Sequence, residues 1–214
     1  MDDPGLGAPL AVGGDLEGPQ AVLILASTSP QRRAILEQLG IPFVVVAPDY
    51  EEVGDDPVGH AAGKARSVDG GDRPVLGVDT DVFCAGRRLG KAASAAEAAD
   101  MLALLSGRTH EVVSGLCLRA PGWEELHRVV SEVSFRRLDA SQIDRYVATG
   151  EWEGRAGAYA IQGRGASLVE RVEGDYLNVV GLPATLLAGL LVERVPVRYA
   201  AALVATAARL EARS

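Results

Sequence analysis

The chain has 214 residues, 48% of them hydrophobic, and a formal net charge of -8. That length supports one large domain with a real core, and no apolar run approaches the roughly 20 residues of a membrane-spanning helix. The acidic balance argues against a nucleic-acid partner, which needs a broad positive field, so a phosphate ligand would have to meet a local cluster of cations.

Residues 1–20 are rich in Gly, Pro and Asp, carry no basic-then-apolar signal pattern, and read as a disordered tail before a single domain over 21–214. Cys84 and Cys117 have no metal or redox spacing, so the cytoplasm is the expected compartment. The stretch LILASTSPQRRAIL, Leu23 to Leu36, begins as a strand (22–25) and breaks at Ala26-Ser27-Thr28-Ser29. It restarts as a helix, with Ser29 as N-cap and Pro30 at the first helical position, and ends at Gly40 as a C-cap. Backbone N–H groups and the helix dipole at such a start favour an anion, and Arg32 and Arg33 add full charge one turn in. The same pattern also suits an ordinary strand-to-helix turn with solvated arginines.

A second strand, 42–46, stops at Pro48, and Asp49-Tyr50-Glu51-Glu52 follows on a loop. Its three carboxylates can bind a metal or simply be solvated. Residues 58–68 read as a helix carrying Lys64 and Arg66. The continuous apolar run 74–78 marks a buried strand ending in Asp79-Thr80-Asp81, and ligands gather at the carboxyl ends of strands in open α/β sheets. Residues 82–89 suggest a hairpin that returns Lys91 to the same mouth.

A helix over 94–105 is capped by Ser94, with Glu97 at capping-box spacing. Residues 109–118 and 126–138 form an antiparallel pair, and a helix starts at Asp139 or Ser141 and runs to about Thr149. The glycine-rich segment 151–165, which contains Gln162, suits wrapping around a ligand. A strand over 167–172, a helix over 184–192 and a final helix over 197–212 complete the chain. His60, His110 and His127 are too scattered for a zinc set, and neither a P-loop nor a nucleophile elbow is present.

Four collinear stretches carry a resemblance: LILASTSPQRRAIL, GVDTDVFCAGRRLGK, LLSGRTHEVVSG and AGAYAIQGRGASLVERVEGDYLNVVGLP. Together they resemble the Maf family of nucleoside triphosphate pyrophosphatases over about residues 22–192. The resemblance implies an α/β fold shared with inosine-triphosphate pyrophosphatases, a mixed sheet flanked by helices, and two lobes with a central cleft. It implies hydrolysis of the α–β phosphoanhydride to a monophosphate and pyrophosphate, removing non-canonical or surplus nucleotides. A divalent cation, Mg2+ or Mn2+, and a homodimer come with it.

By the same resemblance Asp79 is the catalytic proton acceptor, and Glu52 joins it in the catalytic set and in holding the metal. Ser27, Arg32, Lys64 and Lys91 are phosphate-side groups, Lys91 counted with the catalytic set. Thr80 and Gln162 match the branch acting on dTTP and UTP, whereas Gln31 replaces that branch's Arg, and STSP and APDYEE are similar to the branch acting on 7-methyl-GTP. The expectation is dTTP, UTP and modified pyrimidine nucleotides, with specificity altered or broadened by Gln31. The alternatives are 7-methyl-GTP, or a nucleotide-sensing regulator of septum formation. Ala92 stands where the family has Pro, which is expected to loosen the loop carrying Lys91.

Overall fold

A seven-stranded mixed sheet carries the structure, a computed structural model that describes residues 22–196. The expected tail (1–20) and the final helix (197–212) lie outside those residues. In chain order the elements are β1 (Leu23–Ala26), α1 (Pro30–Gln38), β2 (Phe43–Val46), α2 (Pro57–Arg66), β3 (Val75–Cys84), β4 (Arg87–Leu89) and α3 (Ala95–Leu105). There follow β5 (Thr109–Ala120), β6 (Trp123–Phe135), α4 (Ala140–Val147), a 3-10 helix (Arg164–Leu168), β7 (Val169–Glu173), α5 (Tyr176–Val180) and α6 (Ala184–Arg194). The strands run β2-β1-β3-β5-β6-β7, with β4 on the distal half of β3.

β3 organises the sheet. Its first residues, Val75 to Gly77, pair with β1 in parallel, and Val82 to Cys84 pair with β4 antiparallel. Asp79, Thr80 and Asp81 lie between these partners, with β5 on their other side. The expected strand end after Val78 is therefore not an end. Continuous pairing with β5, from Val75↔Arg119 to Phe83↔Glu111, carries the polar triplet through the sheet. The gap between β1 and β4 gives Asp79 the open edge that a strand terminus would have supplied.

Two apolar cores flank that gap. Leu76 and Val78 of β3 join β1, α1 and α6 through Leu23, Leu36 and Leu187; Val82 and Cys84 join α3, α4 and β6 through Leu102, Tyr146 and Phe135. Helix α2 lies on the sheet through Ala61, Ala62 and Ala65. Glycines allow that approach: a Cβ on Gly77 would meet the Ala61 carbonyl oxygen at 2.1 Å, and one on Gly115 the Pro57 carbonyl oxygen at 2.1 Å.

Local signals explain most boundaries. Ser94 Oγ accepts from Glu97 N (3.2 Å), and Asp139 with Gln142 completes a capping box that starts α4. Short α5 escapes a periodicity reading, yet Asp175 caps it through Leu177 N (2.8 Å), and buried Asn178 donates to Val112 O (3.1 Å). The strand expected from Ser167 starts at Val169 because the 3-10 helix takes the residues before it.

Candidate active site

Helix α1 follows β1 directly and sets a cationic floor. Arg32 is 9% exposed. Its Nε donates to Gly181 O (2.9 Å), Nη1 to Ser27 Oγ (3.1 Å) and Nη2 to Thr80 Oγ1 (3.3 Å). Thr80 in turn shares a 2.8 Å bond with Ser114 Oγ. Three acceptors on three chain segments thus fix one planar guanidinium. Burial pulls the Arg32 pKa down, opposed by the charges of Asp79 and Glu52.

Ser29 occupies the expected N-cap position, but its hydroxyl does not cap the helix; it donates to Gln31 Oε1 (3.0 Å). The first-turn amides are therefore not consumed by a side-chain cap, which suits an anion. The same bond takes one lone pair of the Gln31 amide oxygen, leaving the other and the NH2 for a further partner.

Opposite this floor stands an acidic cluster built on β3, α2 and the loop over 47–56. His60 and Lys64 are four apart on α2 and share its sheet-facing side. Lys64 Nζ lies 2.6 Å from Asp79 Oδ1 and 2.5 Å from Glu52 Oε1. His60 Nδ1 lies 3.3 Å from Asp79 Oδ2, and its Nε2 is 3.1 Å from Val53 O. Burial alone would raise the Asp79 pKa, but Lys64 above all, with Arg32 and His60, holds the carboxyl below its usual range. Asp81, two residues on, is shifted the other way: burial and the neighbouring Asp79 charge raise it against the pull of Arg88.

The third wall comes from the hairpin and the glycine-rich segment. Lys91 bridges to Ala156 in an isolated antiparallel pairing, so the hairpin end is tied to that segment. Ala92 is buried in the adjoining core, which anchors the loop that a missing Pro was expected to loosen. Glu151 orders the turn after Gln162 by accepting from Arg164 N (3.0 Å) and Gly165 N (3.3 Å).

One cleft of about 960 Å³ is lined by Ser27, Gln31, Arg32, Glu52, Lys64, Asp79, Thr80, Lys91 and Gln162, which are all the positions that the family resemblance assigns to the site. Its volume is that of a small-molecule site. Sequence reasoning set His60 aside, named Asp81 only within Asp79-Thr80-Asp81, and passed over Arg88 and Arg155 as site residues; of these four, the last three also line the cleft. His60 was detectable from its spacing to Lys64. Arg155 lies beside Ala156, the bridge partner of Lys91, and its buried Nε has no acceptor among the described residues.

A family model described as Maf-like protein matches residues 22–194. The chain belongs to the Maf family. A dTTP/UTP pyrophosphatase of Moorella thermoacetica is 51% identical over 172 residues, covering 75% of this chain and 89% of that protein. A nucleoside triphosphate pyrophosphatase of Xylella fastidiosa is 47% identical over 183 residues, covering 79% and 97%. A dTTP/UTP pyrophosphatase of Symbiobacterium thermophilum is 47% identical over 170 residues, covering 75% and 88%. The mixed sheet flanked by helices is the architecture expected of a Maf chain.

The donor chemistry of this Maf site also suits a cation. One ligand atom each from Glu52, His60 and Asp79 falls within 4.8 Å of the others. Two carboxylates gathered at a cleft attract positive charge, and Lys64 Nζ already sits between them. Two carboxylates and an imidazole are donors that a divalent cation accepts.

Proposed function

We propose that this Maf protein hydrolyses the α–β phosphoanhydride of nucleoside triphosphates, releasing a monophosphate and pyrophosphate, with dTTP and UTP as its main substrates. The observation that carries the proposal is the facing of a fixed cationic floor and a paired carboxylate cluster across one cleft of nucleotide size. Relatives named dTTP/UTP pyrophosphatase at 51% and 47% identity support the substrate choice.

In this reading Arg32, Lys91 and Arg155 bind the triphosphate and neutralise charge that grows on the leaving pyrophosphate. Ser27 fixes the Arg32 fork and flanks the helix start. Asp79, held as a carboxylate through the neutral range, accepts from the attacking water and orients it toward the α-phosphorus. Lys64 keeps Asp79 and Glu52 together against their mutual repulsion. Glu52 and Asp79, with His60 beside them, would hold a divalent cation, Mg2+ or Mn2+. Such an ion, when bound, supplies charge neutralisation on the phosphates and a more acidic water. Gln31, Thr80 and Gln162 line the cleft on the base side of this reading, and Gln31 offers an amide donor rather than a cationic fork. The protein is taken to act as a homodimer in the cytoplasm, where its substrates are made.

The test is pyrophosphate release from a panel of dTTP, UTP, CTP and 7-methyl-GTP with Mg2+ or Mn2+. Preference for dTTP or UTP is expected. Preference for 7-methyl-GTP would overturn the base assignment, and nucleotide binding without hydrolysis at any metal concentration would favour a sensor.

A further inference from the structure

Glu52 comes from a segment, 47–56, with no regular secondary structure, and its side chain is 40% exposed. Asp79, by contrast, is fixed in the middle of β3. Something must hold the loop at the distance that lets both carboxylates share Lys64. Arg88 on β4 does so by geometry. Its Nε donates to Asp81 Oδ2 (2.8 Å), and its Nη1 donates to Gly54 O (3.1 Å) and Asp55 Oδ1 (2.9 Å). The Asp81 side chain is 5% exposed and lies two residues from Asp79 on the same face of β3. Gly54 and Asp55 lie two and three residues from Glu52. One planar fork therefore ties the strand bearing one carboxylate to the loop bearing the other.

We propose that Arg88 is a positioning residue: by bridging Asp81 to Gly54 and Asp55 it sets Glu52 against Asp79. This deepens the pyrophosphatase reading and rests on it for its consequence, though the latch itself does not. The companion tethers are Tyr50, whose ring covers Gly63 so closely that a Cβ there would meet it at 2.1 Å, and the His60 contact with Val53 O. Neither spans to β4. Arg suits the task because its fork serves the buried carboxylate and the loop at once, whereas a lysine offers one point of charge.

The experiment uses the full-length protein and the variants Arg88→Gln, Arg88→Lys, Asp55→Ala and the double variant Arg88→Gln/Asp55→Ala, with Arg87→Gln as control. Backbone amide order parameters over 51–56, measured by nuclear magnetic relaxation without added metal or nucleotide, are the first readout. Arg88→Gln is expected to lower them to about 0.6 or less, Arg88→Lys and Asp55→Ala less so, and the double variant no further than Arg88→Gln alone. Arg87→Gln should match wild type. The second readout is turnover against Mn2+: half-saturating Mn2+ should rise on the order of tenfold in Arg88→Gln, with the nucleotide KM at saturating Mn2+ unchanged.

Order parameters over 51–56 at the wild-type value in both Arg88→Gln and Asp55→Ala would overturn the proposal. So would a rise in nucleotide KM alone with Asp55→Ala behaving as wild type, since Arg88 would then touch substrate. If Arg88→Gln does not fold, Asp55→Ala decides, because Asp55 is 67% exposed and its removal leaves no buried charge unpaired. A wild-type protein that releases no pyrophosphate from any nucleotide would refute the pyrophosphatase reading, while the order parameters would still judge the latch.

Discussion

Two of the cleft's three walls are built on different terms. On the α1 side, Arg32 is nearly buried and held by Gly181, Ser27 and Thr80, groups the fold itself brings together. On the loop side, Glu52 is half-exposed and held through Lys64 and a few tethers. The first wall is pre-shaped before ligand arrives, and electrostatic stabilisation depends on such pre-shaping. The second leaves a carboxylate able to adjust, as a site that must admit and release a hydrated cation requires.

The largest effect should come from the carboxylate on which the charges of both walls, Lys64 and Arg32, converge. Asp79→Asn is expected to cut kcat by roughly 10²–10⁴-fold while the protein stays folded; wild-type turnover in that variant would remove Asp79 from catalysis. Next, the walls should fail differently. Arg32→Lys should lose roughly 10²–10³-fold in kcat/KM, a loss that added Mn2+ does not restore. Glu52→Gln should lose activity that higher Mn2+ partly recovers. If both variants respond alike to metal, the distinction between a fixed floor and an adjustable loop is wrong.

A third test separates cleft from scaffold in acid. His110 is buried against Phe135 and Tyr159, and burial lowers its pKa from 6.5 to about 4. The unfolded chain therefore takes up a proton first, and the stability from keeping His110 neutral is complete above pH 6.5 and lost as pH falls towards about 4. That loss is about 3 kcal/mol. Thermal melts of His110→Gln, which can still bond Tyr159, should show a flatter pH dependence across this window; an unchanged slope would move the acid sensitivity elsewhere. The smallest effect is on specificity: Gln31→Arg should change the ratio of dTTP to 7-methyl-GTP turnover by about 10-fold or less, and an unchanged ratio would remove Gln31 from base recognition.

Much of this arrangement was legible in the sequence because it rests on local rules. Pro30 at a helix start, the Ser94 and Asp139 caps, and the long pair β5 and β6 all follow from neighbours in the chain. What stayed hidden depends on distant partners. Continuous pairing with β5 carries β3 through Asp79-Thr80-Asp81, and nothing local announces it. Ser29 looks like a cap but bonds Gln31 instead. His60 looked isolated as one of three scattered histidines, although its spacing to Lys64 on α2 placed it on the face that meets Asp79. Arg88 read as an ordinary hairpin arginine because its role lies 33 residues back, at Asp55.

Central to the proposed mechanism is water directed to the α-phosphorus between the cationic floor and the acidic cluster. Turnover of dTTP in water enriched in heavy oxygen, with mass analysis of both products, tests it most directly. The label is predicted in the monophosphate, with unlabelled pyrophosphate. Label in pyrophosphate, or orthophosphate as the product, would place the attack at another phosphorus and contradict it.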